Sequence, residues 1–476
     1  HRIVVGLILI NHFQNQIMDI SAGKNIDVAH RSIVIIGLGR SGLEAARLAH
    51  YVGANVFVSD PGFSRQLRHN LGLLTKLGIE GELGDHSDRI YAADMWIISP
   101  GVPRDAKIVK IARQRDIPIV SEIEFASWFT QSPIIAVTGS NGKTTTVNIL
   151  NAMCQSEKVH GVMAGNVGIP FSQKVLEELQ KPDPLRTYIL EISSFQMEFI
   201  HHFKPHFAVY LNISPDHLDR HYTFDEYLNR KLDMIRNQTD RDYIIYNADD
   251  PILARHLSSR SAITIPFSLQ PNVDTIFSIN HICIHDRRHE KLIDLAQIAL
   301  PGRHNLANLL AAATTAHVMG IPKEIIARIC ATVGSIEHRL EKVTDINGVT
   351  YINDSKATNV DSVKVALDSF SQPVILILGG KDKGGDFTQL IPHTHNTKAV
   401  IAYGQAREKI VAALEDAVRP VPVMGLKEAV TLSQELAGPG DIVLLSPGCA
   451  SFDQFDNYEE RGNKFKEWVR ELRTSK

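Results

Sequence analysis

Cysteine is scarce in this chain. Its 476 residues hold four, Cys154, Cys283, Cys330 and Cys449, far apart and without a CxxC pair, so neither a disulfide framework nor a zinc knuckle is indicated and a reducing cytosol fits best. Charge of one sign is missing as well. The 50 Lys and Arg face 53 Asp and Glu, for a formal net charge of -3, and no long basic run supplies the clustered cations that a nucleic-acid protein sets against phosphates. Long apolar runs are lacking too. Ile3 to Ile10 is an apolar run of eight residues, too short to span a bilayer, and polar NHFQNQ follows it where a signal peptide would place small residues for cleavage. No membrane insertion is expected, and residues 1–17 read as an extension outside the fold, within an N-terminal extension assigned to 1–30. Internal repeats and low-complexity tracts are absent.

What is there is an ordinary globular composition, 44% hydrophobic and 22% charged, in a length that suggests about three domains of roughly 150 residues each. The runs SIVIIG, NVFVSD, MWIISP, IIAVTG, TYILEIS, FAVYLNIS, YIIYN, VTYIND, PVILILGG, KAVIAYG and DIVLLSP alternate with helical patterns, the signature of parallel sheets covered by helices. Breaks near Ser121 to Ser132 and near Gly334 to Glu337 divide the chain into 31–121, 122–335 and 336–476. The expected fold class is α/β in three domains: an N-terminal Rossmann-like domain, a central domain of the P-loop ATPase type with a mainly parallel sheet, and a C-terminal Rossmann-like domain.

Two glycine-rich turns carry the first functional signal. Gly37-Leu38-Gly39-Arg40-Ser41-Gly42 lies between the first strand and the helical pattern LEAARLAHYVG, and Asp60 ends the next strand. Glycines let the backbone approach a pyrophosphate at a helix N-terminus, and the acid suits a ribose or base; the plain alternative is a turn that only packs a helix on a sheet. The second turn, Gly139-Ser140-Asn141-Gly142-Lys143-Thr144-Thr145, has the glycines, lysine and hydroxyl of a phosphate loop, although Val137 stands where the longer GxxxxGK[ST] form has its first glycine. Backbone N–H groups would cradle phosphate, Lys143 would neutralise it, and the Thr144 hydroxyl would ligate Mg²⁺. Glu191, ending the strand of YILEISS, is the acid expected to hold that metal. The alternatives are a glycine turn with a solvated lysine and an ordinary strand-end carboxylate.

Just after FAVYLNI, the stretch LNISPDHLDRH packs Asp216, His217, Asp219 and His221 into six residues, at the strand end where ligands of parallel sheets bind. Metal or phosphate work competes there with a capped helix start that carries exposed histidines. In HICIHD, His281, Cys283 and His285 alternate with Ile282 and Ile284, which reads as one exposed face of a strand rather than a zinc site.

GLGRSG, SPGVP, TGSNGKTTT, AGNVG, EISSFQME, NISPDHLDR, PGRHNLANLLAA, EHRLE, NDSKATN, GGKDKGGDF and LSPGCASFDQF, in this order from about Arg31 onward, resemble the Mur ligases over nearly the whole chain. EISSFQME, NDSKATN and LSPGCASFDQF are similar to the branch that adds D-glutamate. The resemblance implies a monomeric ATP- and Mg²⁺-dependent ligase of cytoplasmic peptidoglycan precursor synthesis. It would join D-glutamate to UDP-N-acetylmuramoyl-L-alanine through an acyl phosphate and release ADP and phosphate. It also answers why two nucleotide-type turns share one chain: the first would hold the uridine diphosphate of the substrate and the second ATP. A sister ligase for another amino acid and a nicotinamide dehydrogenase built on the first turn are the competing readings.

The roles that follow are those the resemblance implies. Gly139, Ser140, Asn141, Gly142, Lys143, Thr144 and Thr145 bind ATP phosphates, and Asn305, Asn308, Arg339 and Asp354 its adenosine part. Thr144 and Glu191 hold one Mg²⁺, and His217 helps hold a second. Ser41, Asp60 and Gly101 lie near the uridine diphosphate, with Asn166 and Ser193 at the muramoyl-alanine end. D-glutamate falls to Thr358, Lys383, Ser451 and Tyr458, the last standing where the family more often has phenylalanine. Closure of the third domain would complete the site. In FDEYLNRKLDMIRN, Lys231 falls on the apolar helical face formed by Tyr227, Leu228, Leu232, Met234 and Ile235. A snorkelling stem is the usual explanation of such a lysine; the resemblance implies instead that it is carbamylated, catalytic, and a ligand of the second metal.

Overall fold

The computed structural model describes residues 26–472 apart from 167, 216–217, 222, 272, 282, 301 and 335–336, and the side chains of 218 and 219. The readings made for residues 1–17 and for His217 lie outside the described residues.

The first sheet joins β1 (Ser32–Ile36), β2 (Asn55–Asp60), β3 (Glu80–Leu83), β4 (Met95–Ile98) and β5 (Ile119–Ser121) in the order β3-β2-β1-β4-β5, all parallel. Strands buried on both faces must be apolar throughout. Ile33, Val34, Ile35 and Ile36 satisfy this and are sealed from solvent. Chain order reverses between β1 and β4, so the turn after β1 opens at the switch point of the sheet, where ligands of this architecture bind.

The second sheet takes β6 (Ile134–Thr138), β7 (Gln155–Ser156), β8 (Val159–Gly165), β9 (Arg186–Glu191), β10 (Phe207–Tyr210), β11 (Tyr243–Asn247) and β12 (Ile263–Phe267) in the order β12-β11-β10-β6-β9-β8-β7. Only the β7–β8 pair is antiparallel. β6 runs between β10 and β9 into the phosphate loop, and the helix Lys143–Met153 follows at once, with the helix Arg303–Val318 packed against it. A small antiparallel sheet of β13 (Phe277–Ile279), β14 (Cys283–Asp286) and β15 (Lys291–Asp294) lies between. On β14 Ile284 and Asp286 are buried while Cys283 and His285 are half-buried rather than exposed, and the acid on the buried side is paired with Lys323.

The third sheet comprises β16 (Glu341–Ile346), β17 (Val349–Asn353), β18 (Val374–Gly379), β19 (Thr397–Tyr403), β20 (Val421–Val423) and β21 (Ile442–Gly448), ordered β16-β17-β21-β18-β19-β20. Only its edge pair β16–β17 is antiparallel.

The three sheets are not joined alike. One continuous apolar core runs from Ile33 and Ile35 of β1 through Ile123 and Phe125 to Ile134 and Leu190 of the second sheet. Buried Glu124 seals that joint by accepting the backbone N–H groups of His201, His202 and Phe203. The apolar clusters of the third sheet draw only on residues of that sheet and its helices among the described residues, and its contacts with the phosphate loop are polar. Ser362 Oγ donates to Asn141 Oδ1 at 2.8 Å, and the Lys356 ammonium donates to Thr144 Oγ1.

Candidate active site

The first glycine turn is held by groups that point inward. Gly37 has φ +91, and a Cβ on Gly42 would lie 1.9 Å from the Gly37 carbonyl oxygen, so the helix Arg40–Tyr51 starts hard against the turn. Asp60 accepts Leu38 N at 2.7 Å and Gly62 N at 2.8 Å. The acid read as suited to a ribose or base thus shapes the turn with both oxygens. Ser41 lies half-buried in the first turn of that helix. Gly101, beyond the end of neighbouring β4, has its carbonyl engaged by Arg220 at 3.3 Å.

In the phosphate loop Gly139 has φ +156 and Gly142 φ +84. A side chain at Gly142 would also strike Asn308, 2.2 Å from where its Cβ would be. The Lys143 ammonium folds back over the loop and donates to the carbonyls of Gly139 at 2.7 Å and Ser140 at 2.9 Å, the place where a lysine can meet phosphate oxygens. Ser140 is pinned by the Tyr227 hydroxyl at 2.9 Å and the Ser214 carbonyl at 2.9 Å. Asn141 is held by Asn212, whose Oδ1 accepts its N–H at 2.8 Å.

Thr144 Oγ1 donates to Glu191 Oε2 at 2.6 Å, and Asn166 Nδ2 donates to Glu191 Oε1 at 3.1 Å. Ser193 Oγ donates to Gln196 Oε1 at 3.1 Å in the loop that follows. Burial alone would raise the Glu191 carboxyl, but the Lys356 and Lys143 ammonium groups, with the bonds from Thr144 and Asn166, outweigh it and hold it below its ordinary value. Lys356 is the residue that motif reading missed, although it sits inside NDSKATN. Desolvation lowers its ammonium to about 7; Glu191 opposes this, and Arg339 and Lys143 add to it. It lies 5.1 Å from the centre of the Tyr458 ring.

Lys231 is buried at 2% exposure, so its stem does not snorkel. Its ammonium donates to Gly139 O at 3.0 Å and Thr138 Oγ1 at 3.3 Å, directly beneath the loop, and lies 4.8 Å from the centre of the Tyr227 ring. The helix carrying it, Phe224–Leu232, passes into a 3-10 turn over Asp233–Ile235. His221 is fully buried, against the exposed alternative for its cluster; its Nε2 is 2.8 Å from Ser194 Oγ and its ring stacks on Phe195.

A cavity of about 450 Å³ opens beside the loop between the second and third sheets, and Asn141, Gly142, Thr145, Asn305, Asn308, Arg339 and Asp354 all line it. His304 lines it too and was missed, though it adjoins Asn305 in sequence. Burial and the Arg339 charge lower its imidazole to about 4 and keep it neutral. Burial raises Asp354 to about 7, against the bond from Ser446, Arg339 and the Leu340 N–H.

The residues read as amino-acid ligands stand at the carboxyl ends of β18 and β21. Lys383 is half-buried in the turn after β18, and Ser451 is buried just past β21. Paired backbone bonds between Lys381 and Ala450 tie the two segments together. Thr358 is half-buried ahead of the helix Val360–Leu367. Tyr458 opens the last helix, Tyr458–Glu471, and its carbonyl accepts Ser355 Oγ at 2.8 Å. Fully buried Arg461 braces the same loop, donating to Ser355 O at 2.7 Å and Cys449 O at 3.1 Å.

Three α/β units, with a lysine-bearing phosphate loop at the meeting point of the second and third, define an ATP-using enzyme class whose second nucleotide-type turn lies in the first unit. Residues 31–121 match the family model of the Mur ligase MurD-like N-terminal domain, 137–316 that of the Mur ligase middle domain, and 338–449 that of the Mur ligase glutamate ligase domain. The UDP-N-acetylmuramoylalanine–D-glutamate ligase of Christiangramia forsetii is 40% identical over 450 residues, covering 93% of this chain and all of that protein. The ligase of the same name from Salinibacter ruber is 38% identical over 461 residues, covering 94% of this chain and 99% of that protein. Among solved structures, MurF from Acinetobacter baumannii superposes with a TM-score of 0.61 at 16% identity, over 91% of this chain and 93% of its own. MurF from Thermotoga maritima in complex with ADP gives 0.59 at 14%, over 94% and 96%. The chain belongs to the Mur ligase family.

Proposed function

We propose that this chain joins D-glutamate to UDP-N-acetylmuramoyl-L-alanine, converting ATP to ADP and phosphate, as a monomer in the cytoplasm. The observation that supports it most is the convergence of Lys143, Thr144, Glu191 and Lys356 on one point beside the cavity that would take adenosine. A carboxylate is a poor acyl donor. Transfer of the γ-phosphoryl group to the L-alanyl carboxylate makes an acyl phosphate, the amine of D-glutamate attacks its carbonyl carbon, and the tetrahedral intermediate expels phosphate. Negative charge gathers along that path, so the chain needs fixed cations more than a nucleophile. Lys143, and Lys356 in its protonated form, are those cations, one from each side of the domain boundary.

Thr144 and Glu191 present hard oxygens suited to Mg²⁺, which when bound shields the phosphate oxygens. His217 and a carbamylated Lys231 would serve a second ion. Lys231 as an ammonium is a donor, and carbamylation of its neutral amine by CO₂ with loss of a proton would turn it into an oxygen ligand. Asn305, Asn308, Arg339 and Asp354 hold adenosine, Ser41, Asp60 and Gly101 border the uridine diphosphate, and Asn166 and Ser193 the muramoyl-alanine end. Lys383, with the hydroxyls of Thr358, Ser451 and Tyr458, suits the two carboxylates of D-glutamate. The polar joint of the third domain allows it to swing and, when closed, to exclude water from the acyl phosphate.

The test is phosphate release from ATP with UDP-N-acetylmuramoyl-L-alanine and a panel of amino acids. Release that depends on D-glutamate supports the proposal. Release driven only by another amino acid would make the chain a sister ligase, and hydride transfer without ATP turnover a dehydrogenase.

A further inference from the structure

Arg220 stands outside every role assigned so far, yet few side chains here touch as much. Its guanidinium forks onto the Glu198 carboxylate, Nη2 at 2.8 Å and Nε at 3.3 Å, and the Glu198 side chain is only 2% exposed. The same group crosses the domain boundary to the segment after β4, where Nη2 donates to Pro100 O at 3.2 Å and Val102 O at 2.8 Å, and Nη1 to Gly101 O at 3.3 Å. That segment lies against the first glycine turn, since Ser99 Oγ donates to Gly37 O at 3.0 Å.

On its other side Arg220 covers the Phe195 ring at 5.0 Å. Phe195 stacks on His221 at 5.3 Å, His221 meets the Tyr227 ring at 5.6 Å, and the Tyr227 hydroxyl is 2.9 Å from Ser140 Oγ in the phosphate loop. His221 and Tyr227 are buried, so this row of contacts has little room to yield. Packed groups that cannot deform singly must shift together or not at all.

We propose that Arg220 is a positioning residue that couples the two nucleotide sites: a ligand at the first glycine turn fixes the Pro100–Val102 segment, and Arg220 passes that constraint through Phe195, His221 and Tyr227 to the phosphate loop. The inference rests on the functional reading only in naming the two ligands. Lysine cannot replace the arginine, because a point donor cannot grip Glu198 bidentately while bridging three carbonyls.

The experiment is calorimetric titration of the full chain with a non-hydrolysable ATP analogue and Mg²⁺, with and without saturating UDP-N-acetylmuramoyl-L-alanine, and the reverse titration. In the wild type each ligand tightens the other by the same factor, about fivefold or more, since coupling is reciprocal. Arg220→Lys and Phe195→Leu bring that factor close to one and leave the affinity for the ATP analogue alone as in the wild type, a split that general destabilisation would not produce. Phe195→Leu keeps the Glu198 pair, so it decides the matter if Arg220→Lys does not fold. An uncoupled wild type, or variants that melt like the wild type and keep its factor, would overturn the proposal. Coupling without D-glutamate-dependent phosphate release sinks the functional reading and leaves the relay standing; D-glutamate turnover with unchanged coupling in both variants sinks only the relay.

Discussion

At the end of β1 the chain turns through Gly37 at φ +91, and at the end of β6 through Gly139 at φ +156 and Gly142 at φ +84, with a helix starting at once in both places. The first turn is filled by its own chain: Asp60 accepts Leu38 N and Gly62 N, and Ser99 Oγ donates to Gly37 O. The second has three lysines around it, with Lys143 above it, Lys231 beneath it and Lys356 reaching Thr144 from another domain. Similar backbones therefore do different work. A turn that needs only to seat a ligand can be finished by neutral groups and one shaping carboxylate, whereas one that drives phosphoryl transfer must place positive charge where negative charge develops.

The sharpest way to break that contrast is Lys143→Ala. Turnover should fall by about a thousandfold, the scale of removing one preorganised charge-stabilising donor. The Kd for UDP-N-acetylmuramoyl-L-alanine, measured by calorimetry, should stay near the wild-type value. Loss of that binding in a folded variant would show that the two turns do not divide the labour.

Lys231→Ala comes next. Turnover should drop about 10–100-fold, as when support for a metal site is removed, and acetate or formate at millimolar levels should restore part of it by standing in for the carbamate. Full activity without added acid would remove Lys231 from the site altogether, and a dead variant that no acid rescues would remove the carbamate alone.

These contrasts were unevenly legible. Every β-rich run became a strand, because parallel strands buried on both faces advertise themselves as unbroken apolar segments. The phosphate loop was legible for the same local reason: its glycines, lysine and threonines are contiguous. Lys356 was not, since its meaning comes from Thr144 and Glu191, more than 160 residues away in sequence, and the motif NDSKATN around it does not say which of its residues reaches the phosphate loop. Arg220 was hidden likewise, because its partners, Glu198, Phe195 and the carbonyls of Pro100 to Val102, lie more than 20 residues away in sequence. Asp60 was legible only in part: a strand-end acid after a glycine turn suggests a ribose or base contact, and the geometry adds that both its oxygens also accept backbone N–H groups of the turn.

Gly42→Ala tests the first turn with a smaller expected effect. The new Cβ would fall 1.9 Å from the Gly37 carbonyl oxygen, a backbone atom that cannot step aside, so the turn or the helix must move. Overpacking of this kind costs about 1–3 kcal/mol. Thermal unfolding should show it as a lowered Tm, and affinity for the uridine substrate should fall while that for an ATP analogue holds. Equal loss at both sites would mean that the strain spreads through the shared core of the first two domains.

The smallest effect sharpens the comparison through two buried glutamates. Glu191 sits among lysines at the phosphate loop and is held ionised. Glu122, at the joint between the first two domains, is 3% exposed and accepts Ser172 N at 2.5 Å, and burial raises its carboxyl to about 7 despite that bond, with Glu44 nearby pushing the same way. In the unfolded chain its value is 4.5, so between these two values the folded protein binds the extra proton and this group's contribution to stability declines as pH rises. Below 4.5 both states are neutral at this position; above about 7 the fold carries a buried charge. Glu122→Gln keeps the Oε1 acceptor and removes that charge. The variant should be more stable than the wild type at pH 8, on the order of 1–2 kcal/mol, with the gain shrinking through pH 7 and vanishing near pH 4.5, and turnover should be unaffected. Denaturant unfolding at several pH values checks this directly. A gain that persists unchanged at pH 4 would trace it to packing instead, and the contrast between a carboxyl without cations and one among them would lose its support.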